Sequence, residues 1–330
     1  MAPTRPRIAI VGAGLCGLRL AQGLGHAAEV TVYEKSRGFG GRMATRRASP
    51  FAFDHGAQYM TAHGAEFRAF LATHQQAGRV RRWTPRLTVI GGGAPCAWTA
   101  PRWVAVPGMS SLAGAMAEGI DVRRETEIAG LARHGETWTL SAAEGPVAEG
   151  LDWVLLAIPS VQAARLAPPD MLGRDELEAV RMRGAYSLMV GLEDAAELPW
   201  DAAQVAEGPL GWIACNGTKP GRPEVTSILA QTGPDWAEAN LERDQDEVRG
   251  DLLDALAEAT EFDLSSPAYL RLHRWRYASV ARPAETPCMI DGALGLGLAG
   301  DWCGTARPGR VEGAFDSAEA LAEEVLARLG

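Results

Sequence analysis

Short apolar runs alternate with glycine-rich or polar stretches in the first third of the chain. Residues 7–11 are apolar and β-branched, which predicts a buried parallel strand. Leucine and alanine recur through residues 15–24 with the spacing of a helix that packs on a sheet. Residues 29–34 predict a second strand. The first unit is therefore β-α-β, which is typical of a parallel sheet covered by helices.

The rest of the chain predicts the same fold class, α/β, with a second domain inserted into it. Further helices are predicted to begin at residue 66 and to span residues 109–118, 236–260 and 311–329. Further strands are predicted at residues 80–84, 86–90, 121–123, 127–129, 152–158, 186–192, 225–230 and 294–302. We expect a Rossmann-type domain with a parallel sheet from residues 1–62, 105–165 and 285–330. Residues 63–104 and 166–284 are expected to form an α+β substrate domain with an antiparallel sheet.

A glycine fingerprint joins the first strand to the first helix. Gly12, Ala13, Gly14, Leu15, Cys16 and Gly17 form a G-x-G-x-x-G loop, and Glu34 follows Gly14 by twenty residues. Gly12 permits the tight turn, Gly14 lets the backbone approach a diphosphate, and Gly17 lets helix and strand pack closely. The helix N-terminus stabilises the negative charge of a phosphate. The carboxylate of Glu34 can accept a hydrogen bond from a ribose hydroxyl. This order of elements predicts a cofactor that contains ADP.

A second glycine-rich loop, residues 35–47, follows the second strand and carries five cationic side chains. Arg42 is the expected charge-assisted partner of a diphosphate. For Arg46 and Arg47, an interpretation as part of a solvated basic loop stays open. The segment Lys-Ser-Arg-Gly-Phe-Gly-Gly-Arg-Met at residues 35–43 resembles the GG-R motif of the flavin-dependent amine oxidase superfamily, and its renalase branch in particular. This resemblance implies FAD, bound without a covalent link.

The resemblance extends over the chain and implies roles for further residues. His55, Gly56, Ala57 and Gln58 would line the flavin ring, and the backbone at Ile128 would meet the adenine. Asp301, which follows Gly300, would accept a hydrogen bond from a ribityl hydroxyl. The helix that opens at Val311, Glu312 and Gly313 would point its N-terminus at the flavin. The implied cofactor set also includes Lys35 and Gly41, and the implied substrate pocket contains Gln58, Tyr59, His273 and Trp275.

Two departures from renalase-like sequences leave the substrate in question. Cys215 stands where those sequences tend to carry arginine, and residues 304–308 look like a short insertion. The family's implied reaction oxidises 2- or 6-dihydro isomers of NAD(P) to NAD(P)+, with dioxygen reduced to hydrogen peroxide. A dihydropyridine becomes aromatic when it loses hydride, so this chemistry requires no general base. The sequence likewise contains no recognisable Ser-His-Asp, Cys-His or paired-carboxylate set, and no catalytic residue is assigned.

Two alternatives from other functional classes stay open at this stage. One is an amine oxidase or desaturase on the same scaffold, for which aromatic residues would have to form a cage around the amine. The other is a non-catalytic dinucleotide sensor, which would retain the cofactor motifs without oxygen reactivity. Flavin reduction by each class of candidate substrate would separate the three hypotheses.

Composition limits the kinds of partner that the sequence predicts. A net charge of −9 over 330 residues argues against nucleic acid, and no apolar run is long enough to span a membrane. The apolar run after Arg5 and Arg7 ends at Gly12, which is unlike an export signal. Five scattered cysteines without a C-x-x-C pair predict reduced thiols, a cytoplasmic location and no structural metal. The expected partners are a dihydronicotinamide nucleotide and dioxygen, and the sequence does not indicate an oligomeric state.

Overall fold

The structure is a computed structural model that describes residues 5–92, 100–193 and 198–329. Its α-helices are α1 Leu15–Leu24, α2 Ala65–Gln76, α3 Met109–Met116, α4 Ser160–Leu166, α5 Arg174–Ala179, α6 Pro234–Asn240, α7 Gln245–Thr260 and α8 Val311–Leu329. The strands of the first half are β1 Arg7–Val11, β2 Glu29–Tyr33, β3 Thr45–Ala48, β4 Phe51–Asp54, β5 Val80–Trp83, β6 Leu87–Ile90, β7 Arg102–Ala105, β8 Asp121–Arg123, β9 Gly130–His134, β10 Thr137–Ala142, β11 Gly145–Leu151 and β12 Trp153–Leu156. Those of the second half are β13 Arg181–Leu192, β14 Ala202–Val205, β15 Leu210–Cys215, β16 Thr226–Thr232, β17 Tyr269–Arg282, β18 Met289–Asp291 and β19 Leu296–Leu298.

A six-stranded sheet organises the first domain, in the order β18-β19-β12-β1-β2-β8. β1 pairs in parallel with both β2 and β12, and only the edge strand β18 runs antiparallel. Ile8, Ala9 and Ile10 are fully buried, as expected for a central strand covered on both faces. α1 and α8 pack against each other beside this sheet. The predicted parallel-sheet domain is therefore confirmed.

A second six-stranded sheet has the order β17-β13-β16-β15-β14-β6, and its pairings are antiparallel except for β14 with β6. All six strands fall within residues 63–104 and 166–284. Val248, Leu252 and Leu256 of α7 are buried against one face of this sheet. Phe51 and Phe53 of the β3–β4 hairpin pack against the other face. The hairpin thereby packs directly against the antiparallel sheet.

Several predicted boundaries were wrong. Residues 127–129 are not a strand, because the chain there passes from β8 toward a three-stranded sheet, β11-β10-β9, that the sequence pattern did not predict. The helix predicted at 236–260 divides into α6 and α7, since the carboxylate of Asp244 accepts hydrogen bonds from the backbone of Asp246 and Glu247 and caps a new helix. The closing strand predicted at 294–302 is shortened to β19, because turns occupy both of its ends.

Candidate active site

A cavity of about 1600 Å³ lies between the two sheets and draws its lining from both domains. Fifteen of the predicted cofactor residues line it: Gly12, Gly14, Leu15, Cys16, Glu34, Lys35, Gly41, Arg42, His55, Gly56, Ala57, Ile128, Gly300, Asp301 and Val311. The predicted substrate residues His273 and Trp275 also line it. Ala13, Gly17, Gln58, Tyr59, Glu312 and Gly313 lie behind the surface of the cavity within the described chain.

The glycine loop has the shape that the fingerprint requires. Gly12 has a φ of +105°, and a Cβ there would lie 2.6 Å from the carbonyl oxygen of Ala157. A Cβ on Gly17 would lie 1.9 Å from the carbonyl oxygen of Gly12, so only glycine lets the helix pack this closely. At Gly14 nothing lies within 4 Å of such a Cβ, so its backbone faces open space. The N-terminus of α1 has no side-chain cap and is free to meet an anion.

Glu34 connects the end of β2 to this loop. Its carboxylate is buried and accepts hydrogen bonds of 2.8 Å from the backbone N–H groups of Ala13 and Ser36. These bonds fix the carboxylate at the cavity wall, where the sequence predicted contact with a ribose. Nearby, Lys35 forms an exposed 3.8 Å ion pair with Glu127, and Ile128 is buried in the same part of the lining.

Arg42 and Asp301 form a direct ion pair that the sequence analysis did not anticipate. Both nitrogens of the Arg42 fork donate to the carboxylate, at 2.6 Å and 2.8 Å. Asp301 is buried, whereas the side chain of Arg42 keeps about a quarter of its surface exposed in the cavity. Arg42 therefore retains donors for a phosphate while Asp301 holds its guanidinium in place.

The start of α8 is anchored from behind. Glu312 does not face the cavity, because its Oε1 accepts from the backbone N–H groups of His63 and Gly64, at 2.9 Å and 2.5 Å. Its Oε2 lies 3.2 Å from Nε of Arg307, which also donates to Asp316 at 3.0 Å. Arg307 belongs to the predicted insertion, so this loop fastens the first two turns of α8. Only Val311 of the predicted triplet lines the cavity.

An aromatic group closes the other end of the lining. The rings of His55 and Trp275 are stacked with centroids 5.3 Å apart, and His273 meets both rings edge-on, at 4.9 Å and 4.3 Å. Trp275 Nε1 and Ser187 Oγ donate to the carbonyl oxygen of His55, at 2.8 Å and 2.7 Å. Burial, together with the charges of His273 and Arg46, lowers the pKa of His55 to about 4. Burial and Arg46 also lower the pKa of His273, so both rings are neutral at pH 7.

Gln58 and Tyr59 are turned away from the cavity by specific contacts. The amide of Gln58 donates to the backbone oxygens of Asp54 and Gly56 and accepts from Lys219 Nζ at 3.2 Å. The ring of Tyr59 packs against Trp83 and Trp212, at 6.4 Å and 6.0 Å. Both side chains therefore support the segment that lines the cavity instead of contacting its contents.

The sequence analysis missed the buried charges under this segment. Asp54 accepts from Arg222 at 2.6 Å and from Lys219 at 3.2 Å, and all three side chains are almost completely buried. Burial alone would raise the pKa of Asp54, but Lys219 and Arg222 hold it below the usual value. Burial also lowers the pKa of Lys219 to about 8. The apolar runs around Asp54 gave no signal that cations 165 and 168 residues later would reach it.

Four cysteines lie among the described residues, and one of them lines the cavity. Cys16 lines the cavity, and burial raises its pKa far above the ordinary range. Cys215 lies in the buried substrate sheet, outside the cavity wall, and burial raises its pKa to about 11. Cys288 and Cys303 are free thiols behind the wall, and Cys96 lies outside the described residues. Among the described residues, no cluster of His, Cys, Asp or Glu is arranged to hold a metal ion.

These residues fit an ADP-containing cofactor with a flat ring system. The open backbone at Gly14 and the uncapped α1 suit a diphosphate, and Glu34 suits the adenosine ribose. Gly56 and Ala57 line the cavity directly after His55, whose ring stacks on Trp275, and neither carries a bulky side chain that would exclude a planar ring. The fold and the site thus define a flavin-dependent oxidoreductase.

Comparisons with known proteins lead to the same class. The sequence matches an NAD(P)-binding Rossmann-like domain over residues 10–73 and the flavin containing amine oxidoreductases over residues 96–326. The second match spans well over half of the chain, so the protein belongs to the flavin containing amine oxidoreductase family, and its cofactor is FAD.

Solved structures share the whole fold at low identity. A proposed protoporphyrinogen oxidase from Exiguobacterium sp. 255-15 is 14% identical with a TM-score of 0.77, over 98% of this chain and 99% of that one. A triple mutant of putrescine oxidase is 14% identical with a TM-score of 0.72, over 99% and 100%. Cyclohexylamine oxidase from Brevibacterium oxydans IH-35A is 15% identical with a TM-score of 0.72, over 98% and 100%. In the described part of this chain, no helix is long and apolar enough to cross a membrane.

Proposed function

We propose that this protein is an FAD-dependent oxidase of the renalase type. Its substrates are the 2- and 6-dihydro isomers of NAD(P), which it converts to NAD(P)+. One dihydronicotinamide, one dioxygen and one proton yield one NAD(P)+ and one hydrogen peroxide. The resemblance of residues 35–43 to the renalase branch motivates this reaction, and the charge of the cavity carries the choice of substrate.

Positive charge dominates the described lining of the cavity. Its ten cationic residues are Lys35, Arg37, Arg42, Arg46, Arg47, Arg124, Arg165, Arg274, Arg276 and Arg310, against three carboxylates, Glu34, Glu127 and Asp301. Each of these carboxylates already has a partner within the chain: backbone N–H groups, Lys35 and Arg42 respectively. The diphosphate of FAD offsets only part of this excess. Such a cavity attracts a dinucleotide, which carries further phosphates, and repels a protonated amine.

The lining near His55 supports the same choice. His55, His273 and Trp275 offer flat ring surfaces, and no carboxylate lines the described cavity beside them that could bind an ammonium group. Both histidines are neutral at pH 7. A dihydropyridine needs no base to lose hydride, so a wall without an ionised acid or base is sufficient for this reaction.

The protein side chains then serve to bind the substrate and to orient it. Bound FAD supplies the acceptor for the hydride and the centre that reacts with dioxygen. His55 is held by the bonds of Ser187 and Trp275 to its carbonyl oxygen, which gives the wall a fixed shape. A fixed wall can hold only particular ring carbons within the roughly 3–3.5 Å that hydride transfer requires. Positional selection between dihydronicotinamide isomers follows from this restriction.

Amine oxidation is the second candidate, since putrescine oxidase and cyclohexylamine oxidase share the fold. At 14–15% identity this likeness extends to the fold alone. Of the aromatic residues named at this wall, Trp275 is the one whose ring face suits an amine, and His55 already stacks on one of its two faces.

The decisive experiment is anaerobic mixing of the holoenzyme with each candidate substrate while the flavin absorbance is followed. We expect rapid bleaching by the 2- and 6-dihydro isomers, and slow or no bleaching by ordinary 4-dihydro NADH, putrescine and cyclohexylamine. With air admitted, peroxide and NAD(P)+ should form in equal amounts. Rapid reduction by an amine, with inert isomers, would establish the amine oxidase instead. Inertness toward all of them would favour a dinucleotide sensor.

A further inference from the structure

Arg46 occupies a position on the substrate side of the cavity that its sequence context did not reveal. It lies in β3, directly opposite Phe53 of β4, and cross-strand partners place their side chains on the same face of a hairpin. His55 follows Phe53 by two residues, just beyond the end of β4, and also lines the cavity. Arg46 is half-buried and lines the cavity, whereas its neighbour Arg47 is exposed. Both arginines line the cavity, and Arg46 is the more deeply buried of the two.

Arg46 has no anionic partner in the described part of the chain. Neither an ion pair nor a hydrogen bond engages its side chain there, and its Nε is buried without a bonding partner. A partly buried cation without a counterion is costly, so a bound anion would stabilise it. Burial lowers the pKa values of His55 and His273, and the charge of Arg46 lowers both further, so neither histidine supplies a countercharge. Nothing on this side of the described lining neutralises it.

The diphosphate of FAD already has a binding site elsewhere. The glycine loop, the N-terminus of α1 and Arg42 form that site, and Arg42 is held there by Asp301. A second anionic group is therefore needed to account for Arg46. We propose that Arg46 is an anion-binding residue of the substrate site and that it takes a phosphate of the incoming dinucleotide. This assignment rests on the proposed function, because it makes the substrate's phosphates the counterion of Arg46.

Binding of NAD+ and of nicotinamide riboside to the oxidised holoenzyme tests this assignment, with flavin difference spectra as the readout. The two probes share the nicotinamide ring and ribose, but only NAD+ carries phosphates. Arg46→Gln should weaken NAD+ binding by roughly tenfold or more, the effect of one charge-assisted bond, and leave nicotinamide riboside unchanged. Arg46→Lys should retain part of the affinity. Arg81→Gln, an exposed arginine on β5 that does not line the cavity, is the control and should behave as wild type.

A second readout checks that Arg46→Gln is folded and that the positive charge of Arg46 lies close to the two histidines. Arg46→Gln should raise the pKa values of His55 and His273 in NMR titrations, because it removes a nearby positive charge, and Arg81→Gln should leave them unchanged. Equal NAD+ affinity in wild type and Arg46→Gln, with the histidine shifts present, would overturn the assignment. So would equal losses for both probes, which would mean a purely structural role.

The assignment and the proposed function can fail separately. If the isomers fail to reduce the flavin but NAD+ binding still depends on Arg46 and not on Arg81, the anion site is supported and the proposed reaction is refuted. If the isomers reduce the flavin rapidly in both wild type and Arg46→Gln, and bind both proteins with the same dissociation constant, the proposed reaction is supported. The assignment of Arg46 as an anion-binding residue is then refuted.

Discussion

Arg42 and Asp301 are 259 residues apart in the sequence, and two hydrogen bonds of 2.6 Å and 2.8 Å join their side chains in the cavity wall. Arg42 lies within the glycine-rich loop after β2, and Asp301 follows β19 at the carboxyl end of the parallel sheet. The pair closes the cofactor domain around the site where a diphosphate is expected. It also orients the guanidinium before any phosphate is bound.

The first prediction concerns FAD retention in Arg42→Ala. Loss of a charge-assisted phosphate contact should weaken FAD binding by about 1.5–3 kcal/mol. Loss of the partner of the buried Asp301 should add to this effect. The measurement is the dissociation constant of FAD from reconstituted apoprotein. Arg81→Ala, an exposed arginine on β5, is the control and should retain FAD normally. Equal retention in Arg42→Ala and wild type would contradict the phosphate assignment.

The second prediction concerns stability in acid. The pKa of His55 is about 4 in the folded protein, against an ordinary value of 6.5. Between these two pH values His55 is protonated in the unfolded state but not in the folded state. Stability should therefore be complete above pH 6.5 and decline as the pH falls toward 4. By linkage, His55 accounts for about 2–3 kcal/mol of that decline.

Urea unfolding between pH 7 and pH 4.5 measures this effect. His55→Gln should show a shallower decline than wild type, because the glutamine side chain does not titrate. His26→Gln, at an exposed position, should keep the wild-type slope. Parallel slopes for wild type and His55→Gln would show that His55 is not held neutral by the fold.

Local patterns were enough to predict the β1-α1-β2 unit and α8 almost to the residue. Each depends on short-range rules: a buried run, a glycine turn, or a helix that starts where Val311 follows a loop. The cofactor class could be predicted for the same reason, since the glycines and Glu34 lie within one such unit.

Long-range partners and side-chain directions could not be predicted in this way. Asp54 and Lys219 approach only because the substrate sheet folds back over the β3–β4 hairpin, and neither local sequence encodes that approach. The segment from His55 to Tyr59 shows that the sequence does not reveal which way each side chain points. Its first residue faces the cavity, whereas Gln58 is turned inward by backbone carbonyls and Lys219. Arg46 and Arg47 both line the cavity but differ in burial, because adjacent strand residues point to opposite faces.

The third prediction concerns the buried charges around Asp54. Asp54→Ala would leave Lys219 and Arg222 buried without their shared carboxylate, which should cost about 3–5 kcal/mol of folding free energy. Asp54 also accepts from the backbone of Met109, so the start of α3 should loosen as well. Denaturant unfolding checks the size of the loss. Asp254→Ala, at an exposed position on α7, should change stability little, and a similarly small change for Asp54→Ala would refute the structural role.

The last prediction concerns Arg307, in the segment that resembles an insertion. Its side chain lies 3.2 Å from Glu312 and 3.0 Å from Asp316, and a Cβ on Gly313 would lie 2.3 Å from its carbonyl oxygen. Arg307→Ala should leave two carboxylates at the start of α8 without their cation and lower stability by about 1–3 kcal/mol. Because Val311 of the same helix turn lines the cavity, FAD retention should fall with it.

Two control variants separate this effect from a general loss of a charge. Arg307→Lys should recover part of both stability and FAD affinity, since it restores the cation without the fork. Arg328→Ala removes an ion pair with Glu324 at the far end of α8, and it should leave FAD affinity unchanged. If Arg307→Ala unfolded more easily but held FAD as tightly as wild type, the loop would stabilise α8 without setting its position at the cofactor.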